Sequence, residues 1–316
     1  MQIRKVCVLG GSGFVGRSIC AELARRGVAV RVMARRRERA RHLLVFPRLE
    51  LVEGSCHFAP DLAGAFNGCD AVINLVGILH PDGESTFERV HAELPALVAR
   101  VCRERAVPRL VHMSSLGASR DAPSEYLRTK GRGEDAAHAG AGVFTTSFRP
   151  SVVFGPGDGL FNRFAGILRI VPFVLPLAKA DARLQPVYVA DVAAAMCASL
   201  ADRATFAKRY DLGGPEVMTL AGVVRYTAEV LGLRRIILPL GERLGTMQAR
   251  VFERLPGKLL TEDNLRSLGV DSVTARNGFE DFGIAPARVD SIVPRYLGDR
   301  GRRGRNQRFQ SAARRD

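Results

Sequence analysis

The chain has 316 residues, 47% hydrophobic and 25% charged, which fits a folded globular protein of one large domain or a domain with an added lobe. No apolar run reaches the roughly 18–20 residues that a membrane span needs; the nearest, residues 167–176, is short and broken by Pro172. Net charge is +15, concentrated in nine arginines against one glutamate between Arg25 and Arg48, and in seven arginines against two aspartates from Asp299 to Asp316.

Apolar strands alternate with helix-length amphipathic stretches through the first half. The spacing predicts a strand over 5–9, a helix over 13–26, a strand over 29–34 followed by a basic segment, and a strand over 49–53. A short helix over 62–67, a strand over 71–76, a helix over 87–105 and a strand over 109–113 follow. This β-α-β-α order predicts an α/β fold, a Rossmann-like doubly wound parallel sheet with helices on both faces. After Gly142 the pattern loosens. One strand is expected over 144–154, ending in Gly155-Pro-Gly-Asp158, with shorter strands over 185–189 and 209–212. We read residues 1–155 as the nucleotide-binding domain, to which the strands near 185–215 return. Residues 156–298 are read mainly as a smaller mixed lobe, and 299–316 as a basic tail. No internal repeat is present.

The first strand runs directly into a glycine loop, without a charged and apolar leader before it, so no export signal is expected. The six cysteines (Cys7, Cys20, Cys56, Cys69, Cys102, Cys197) lie in apolar segments without metal-ligand spacing, as small buried side chains of a reducing compartment do. A cytoplasmic protein is the expectation. The tail reads as a disordered solubilising end, with contact to anionic lipid or an acidic partner as the alternative. With Phe309 as its one aromatic and no accompanying module, it argues against nucleic acid.

Gly10-x-x-Gly13-x-x-Gly16 opens the first helix, the arrangement in which backbone amides and a helix N-terminus receive a pyrophosphate. With 32 glycines in the chain, the string alone arises by chance about 0.3 times. Its setting between an apolar strand and an amphipathic helix carries the inference. Gly10, Ser12, Gly13, Phe14, Val15 and Gly16 are therefore candidate dinucleotide contacts. The second strand should end near Ala34, where a carboxylate would accept from a ribose 2′-hydroxyl; the chain has Arg35-Arg36-Arg37 instead. Guanidinium groups there suit a 2′-phosphate, so NADP(H) is preferred and NAD(H) is the alternative. A merely solvated basic helix is the bland reading of the same arginines.

Tyr126 and Lys130 stand four residues apart, on one face if the segment is helical. The chain has five tyrosines and five lysines, so this spacing is expected by chance only about 0.08 times, and a lysine kept where arginine is favoured suggests that arginine will not serve. A phenol near pKa 10 is a weak acid–base catalyst, and a neighbouring ammonium is expected to lower it. Ser115, after the strand at 109–113, is a candidate to orient a substrate oxygen, with a simple strand-end cap as its alternative. The six histidines lack the spacing of a metal site or triad.

With these landmarks the chain resembles the short-chain dehydrogenase/reductase superfamily in its extended or atypical, epimerase-like branch, over residues 1 to about 298. The landmarks also include Asn74-Leu-Val-Gly77, Arg149-Pro-Ser-Val-Val-Phe-Gly-Pro156 and Val187-Tyr-Val-Ala-Asp191. Longer strings look like bacterial relatives of the nucleotide-binding accessory subunit of respiratory complex I: 124–134, 148–158 with Phe161-Asn-Arg-Phe164, 259–263 and 292–297. The resemblance implies Val76, Gly77 and Pro150 as further cofactor contacts, Tyr126, Lys130 and Ser115 as the catalytic set, and ties to quinone-linked respiration or ubiquinone biosynthesis. Two departures stand out. Gly54-Ser55-Cys56 replaces a glycine–aspartate pair, and His91 occupies the place of a helix asparagine that supports a proton relay.

Two functions are therefore expected in competition. One is an NADPH-dependent oxidoreductase or epimerase-like enzyme acting on a small molecule. The other is a protein that holds NADPH as a structural ligand in a respiratory or quinone-biosynthetic assembly. A third, weaker reading places residues 238–260 and the tail against a membrane surface at the inner face of the cytoplasmic membrane; an ordinary helix pair of the lobe is its alternative.

Overall fold

The computed structural model describes residues 1–253 and 260–298. The first part comprises β1 (Lys5–Leu9), α1 (Phe14–Arg25), β2 (Ala29–Ala34), α2 (Arg37–Ala40), β3 (Leu49–Glu53), α3 (Ala59–Phe66) and β4 (Ala71–Asn74). A π-helical segment (Glu88–Glu93) then runs into α4 (Leu94–Glu104), followed by β5 (Arg109–Met113), α5 (Glu125–His138) and β6 (Phe144–Pro150). The remainder begins with β7 (Val153–Phe154), α6 (Phe161–Ile170), β8 (Val174–Ala178), β9 (Arg183–Leu184), β10 (Val187–Tyr188) and α7 (Val189–Ser199). It continues through β11 (Arg209–Leu212), β12 (Met218–Thr219), α8 (Leu220–Val230), β13 (Ile236–Leu240), α9 (Glu242–Glu253), α10 (Glu262–Ser267) and α11 (Val289–Leu297). The basic tail lies outside the described residues.

Seven strands form one parallel sheet in the order β11-β6-β5-β4-β1-β2-β3. The chain leaves β1 toward β2 and β3, then crosses back to β4 on the other side. That reversal opens a crevice at the carboxyl ends of β1 and β4, where ligands of such sheets bind. Strands buried on both faces need continuous apolar sequence, and β4 is wholly buried. Ile19, Cys20 and Leu23 of α1 meet Val192, Ala193 and Met196 of α7 in the core on one face. The other face is packed by Leu62 and Phe66 of α3 and by Leu94, Val98, Val101 and Cys102 of α4, the last four at the spacing of one helix face. All six cysteines are free thiols; five are buried and Cys56 is partly so.

Two local departures from the expected elements have physical causes. The strand expected over 144–154 is interrupted after Pro150. β6 pairs within the main sheet, whereas β7 pairs with β10 in a separate ribbon, and the Ser151 amide turns to the Leu212 carbonyl (2.8 Å). The helix expected over 87–105 begins as a π-helix, a widened turn that brings Val90 and His91 inward beside α5. Gly133 allows this approach, because a β-carbon there would overlap the His91 carbonyl oxygen.

A second hydrophobic core is formed by α6, α8 and α11 with β8 and β9. Asp158 ties it to the end of β7. Its carboxylate accepts from the amides of Gly155 (3.0 Å), Leu160 (3.0 Å) and Asn162 (2.9 Å), and from the Tyr296 hydroxyl of α11 (2.6 Å). This contact joins two strings that carried the resemblance, 148–158 and 292–297.

Candidate functional site

The glycine loop lies at the mouth of the crevice. Gly10 takes φ +79, and its carbonyl accepts the Gly13 amide at 3.0 Å, closing a tight turn before α1. A β-carbon at Gly16 would overlap the Gly10 carbonyl oxygen, so only glycine lets α1 sit this close to the loop. No side chain caps α1, which leaves the positive end of its dipole directed at the crevice. Two clefts meet at Ser12. One, about 340 Å³, is lined by Ser12, Gly13, Phe14 and Arg17 facing Pro156, Gly157 and Tyr188. The other, about 230 Å³, is lined by Ser12, Ala34, Arg35, Arg36 and Arg39.

Those three arginines are exposed, and none has a carboxylate partner among the described residues. The carboxylate of Glu53, at the end of β3, is turned to the Arg37 amide instead (3.2 Å). At the departure in Gly54-Ser55-Cys56, Asp61 of α3 accepts the Ser55 amide at 2.7 Å, so a carboxylate reaches this loop from a different position and is used within it.

On the β4 side, the Asn74 side-chain oxygen accepts the Val76 amide at 3.2 Å and shapes the turn through Gly77. Lys130 of α5 points into this turn. A β-carbon on Gly77 would lie 3.2 Å from Lys130 Nζ and 3.6 Å from His91 Nε2, so the bare glycine leaves room for the ammonium. Lys130 Nζ donates to the Met113 carbonyl at 3.1 Å, fixing α5 against the end of β5. Burial lowers the Lys130 pKa to about 8, and the negative charge of Glu134, one turn on, works the other way. Glu134 is buried and itself bound by Arg149 (2.6–3.0 Å) and Arg209 (2.5 Å).

Tyr126 opens α5. Ser124 caps the helix by accepting the Leu127 amide at 3.2 Å, and Asp263 of α10 accepts the amides of Glu125 (2.7 Å) and Tyr126 (3.0 Å). Burial raises the Tyr126 phenol above its ordinary value, and a hydrogen bond with the Ser115 hydroxyl opposes that rise. The expected lowering by Lys130 is not found: the ammonium is turned to the Met113 carbonyl, and desolvation dominates the phenol. Tyr126 lies edge-on to Phe87 and to His91, with ring centres 6.0 and 5.2 Å apart.

His91 is not arranged as a relay. Its Nε2 accepts the Ile78 amide at 3.0 Å, which leaves the proton on Nδ1, 3.3 Å from Thr129 Oγ1. Burial, then the charge of Lys130, lowers its pKa to about 2. The imidazole is thus a neutral strut between the turn after β4 and helix α5. Pro150, at the end of β6, accepts the Leu116 amide at 3.0 Å and lies beside the Ser115 turn.

The structure therefore brings Gly77, Ser115, Tyr126 and Lys130 together, and places Arg35 and Arg36 with Ser12 in a separate cleft of the same crevice. Asp263 and Glu134 were missed as functional positions, although both lie in strings that the resemblance singled out. Among the described residues no His, Cys, Asp or Glu group is placed to hold a metal, and no helix is long and apolar enough to cross a membrane.

A doubly wound sheet with a glycine loop at its switch point and a serine–tyrosine–lysine set on the adjoining edge defines a dinucleotide-binding protein of the dehydrogenase and epimerase type. Residues 6–213 match the model of the NAD dependent epimerase/dehydratase family, and the chain belongs to that family. It is 27% identical over 308 residues to the mitochondrial NADH dehydrogenase (ubiquinone) 1 alpha subcomplex subunit 9 of Arabidopsis thaliana, covering 92% of this chain and 76% of that one. It is 30% identical over 202 residues to a ceramide reductase of Caulobacter vibrioides, covering 61% of this chain and 60% of that one. Among solved structures, an NADPH-dependent quinone oxidoreductase of Escherichia coli complexed with NADPH superposes with a TM-score of 0.72 at 16% identity, covering 93% of this chain and 97% of that one.

Proposed function

We propose that the chain is an NADPH-dependent oxidoreductase linked to quinone or respiratory metabolism. The observation that carries this reading is Lys130 set against the turn at Gly77, with Tyr126 on the same helix and hydrogen-bonded to Ser115, beside the glycine loop. Residues 1–155, with the returning strand β11, hold the cofactor; the lobe within 156–298 selects the substrate or partner. The amides of Ser12, Phe14, Val15 and Gly16 bind the pyrophosphate over the turn that Gly10 and Gly13 close, and Arg35 and Arg36 bind the 2′-phosphate. Val76, Gly77 and Pro150 border the nicotinamide.

When bound, NADPH supplies the hydride. Tyr126 gives its phenolic proton to the substrate oxygen, Ser115 holds that oxygen and opposes the rise of the phenol's pKa, and Lys130 holds the ribose. The balance of burial and Glu134 keeps Lys130 mostly charged at neutral pH.

A second reading, a held and unconsumed NADPH in a respiratory assembly, is favoured by the relatives named as subunits of NADH dehydrogenase and by the occupied nitrogens of His91. Native mass spectrometry of the purified chain, followed by addition of isotopically labelled NADP⁺, separates the two. Exchange within minutes, with Tyr126→Phe retaining cofactor, supports turnover. A cofactor that stays unexchanged for hours overturns the enzymatic reading in favour of the held cofactor.

A further inference from the structure

The ribbon of β8 and β13 lies far along the chain from the glycine loop and has an unusual outer face. The two strands pair in parallel, Ile236 with Val174 and Leu238 with Pro176. Period-two alternation turns Leu175 and Leu177 into the core of the lobe and leaves Val174, Pro176, Ile236 and Leu238 outside. Exposure of these outer residues is high for apolar side chains: Ile236 is 65% exposed, and the neighbouring Ile170 and Phe173 are 83% and 76% exposed. Helix α9 covers one end of the ribbon, where Ala249 packs with Ala178 and Gln248 donates to the Pro176 carbonyl at 3.0 Å. It adds its own exposed Leu244 and Met247. Exposed apolar side chains gathered on paired strands in this way mark an interaction site.

The charge around it narrows the partner. Residues 164–180 and 231–250 carry six basic side chains and one acidic one, Glu242. Arg169, Arg234 and Arg243 are exposed, and neither they nor the half-buried Arg235 has a carboxylate partner among the described residues. Some surface arginines elsewhere do pair with acids, as in Arg120–Asp135, Arg183–Asp271 and Arg276–Asp281, whereas those beside Ser12, like these, do not. A second copy docked through this face by two-fold symmetry would set the arginines of one patch against those of the other. An anionic lipid headgroup layer over hydrocarbon satisfies both the apolar centre and the cationic rim.

We propose that the β8–β13 face, with the C-terminal end of α6 and the outer side of α9, docks on an anionic membrane surface, with Ile170 and Phe173 entering the acyl boundary. The membrane surface expected from sequence took in residues 238–260 and the tail; here it begins at α6 and β8 instead. It is independent of whether NADPH turns over.

The chain has no tryptophan, so Phe173→Trp in the full-length protein installs a single reporter at an exposed position. With phosphatidylcholine vesicles containing phosphatidylglycerol, its emission is expected to shift to the blue and to be quenched by brominated acyl chains. Pure phosphatidylcholine should bind at least about tenfold more weakly, and Arg169→Glu/Arg234→Glu/Arg243→Glu should bring a similar loss on the anionic vesicles. Val217→Trp, exposed and outside this patch, is expected to stay unshifted. If the Phe173→Trp protein floats with vesicles while its emission stays unchanged, binding belongs to the tail and the proposal is overturned, as it is by the absence of binding. A blue shift that grows with protein concentration without vesicles would overturn it in favour of a second copy. A shift produced by an acidic protein but not by anionic vesicles would overturn it in favour of a protein partner.

Discussion

Around the glycine loop, Arg35, Arg36 and Arg39 stand in solvent without a carboxylate among the described residues, whereas the inner side of α5 buries Lys130 and Glu134 among carbonyls and guanidinium groups. Both regions present positive charge to one crevice. In the first, unpaired charge remains hydrated at little cost until an anion arrives. In the second, the ammonium loses its water, so its pKa falls and acceptors must hold it in place. Binding a phosphate and handling a proton therefore place opposite demands on neighbouring parts of one sheet edge.

Gly16→Val strikes the loop where it has least freedom and is expected to have the largest effect. The side chain would have to displace the Gly10 carbonyl, costing more than about 3 kcal/mol of stability and abolishing NADPH binding. Thermal unfolding with and without NADPH measures both, and an unchanged melting temperature would show that the loop yields.

The buried face should fail first in acid. Burial lowers the pKa of His91 to about 2 and of His112 to about 3, both from 6.5. Below about pH 6 the unfolded chain takes up protons that these folded imidazoles refuse, so stability falls as pH falls. The slope is about 1.4 kcal/mol per pH unit for each histidine. Melting temperature measured from pH 7 to pH 4.5 should drop steeply below pH 6 and less so in His112→Asn; a flat profile contradicts the buried neutral assignment.

Lys130→Met separates stability from chemistry. The lysine pKa is lowered from 10.5 to about 8, so the folded protein binds the proton less tightly than the unfolded chain, and the wild type gains stability as pH rises across that window. Replacing the ammonium should stabilise the fold by about 1–3 kcal/mol at pH 7, after the loss of its bond to Met113. Hydride transfer should be lost. A destabilised variant in urea titration would show that the ammonium is a net structural asset.

Asp263→Ala removes two helix-capping bonds at the start of α5 and should cost about 1 kcal/mol. If α10 positions Tyr126, the variant also shifts the pH profile of turnover, whereas a purely structural cap leaves that profile in place.

Much of the nucleotide half was legible because its strands are short, continuous apolar runs, and β1, β2, β3 and β5 fall at the expected bounds. Tyr126 and Lys130 were legible because a helix fixes the relation of residues four apart. The phenol's raised pKa was not, since it depends on burial by Phe87 and His91, which the π-helical turn brings in. Nor was Asp263, which lies 138 residues from the Glu125 amide it holds. The outer face of β8 and β13 was hidden for a related reason. Neither strand was among the expected elements, because apolar residues in both phases conceal a period of two, and only the packing shows that one phase is uncovered.

The arginines beside Ser12 carry the proposed preference for NADPH. Calorimetric titration of the full-length chain with NADPH and NADH, repeated on Arg35→Ala/Arg36→Ala, tests them. NADPH should bind at least about tenfold more tightly than NADH, and the double variant should lose that preference while keeping its NADH affinity. Equal affinity for the two cofactors in the unaltered protein would contradict the assignment of this cleft to a 2′-phosphate.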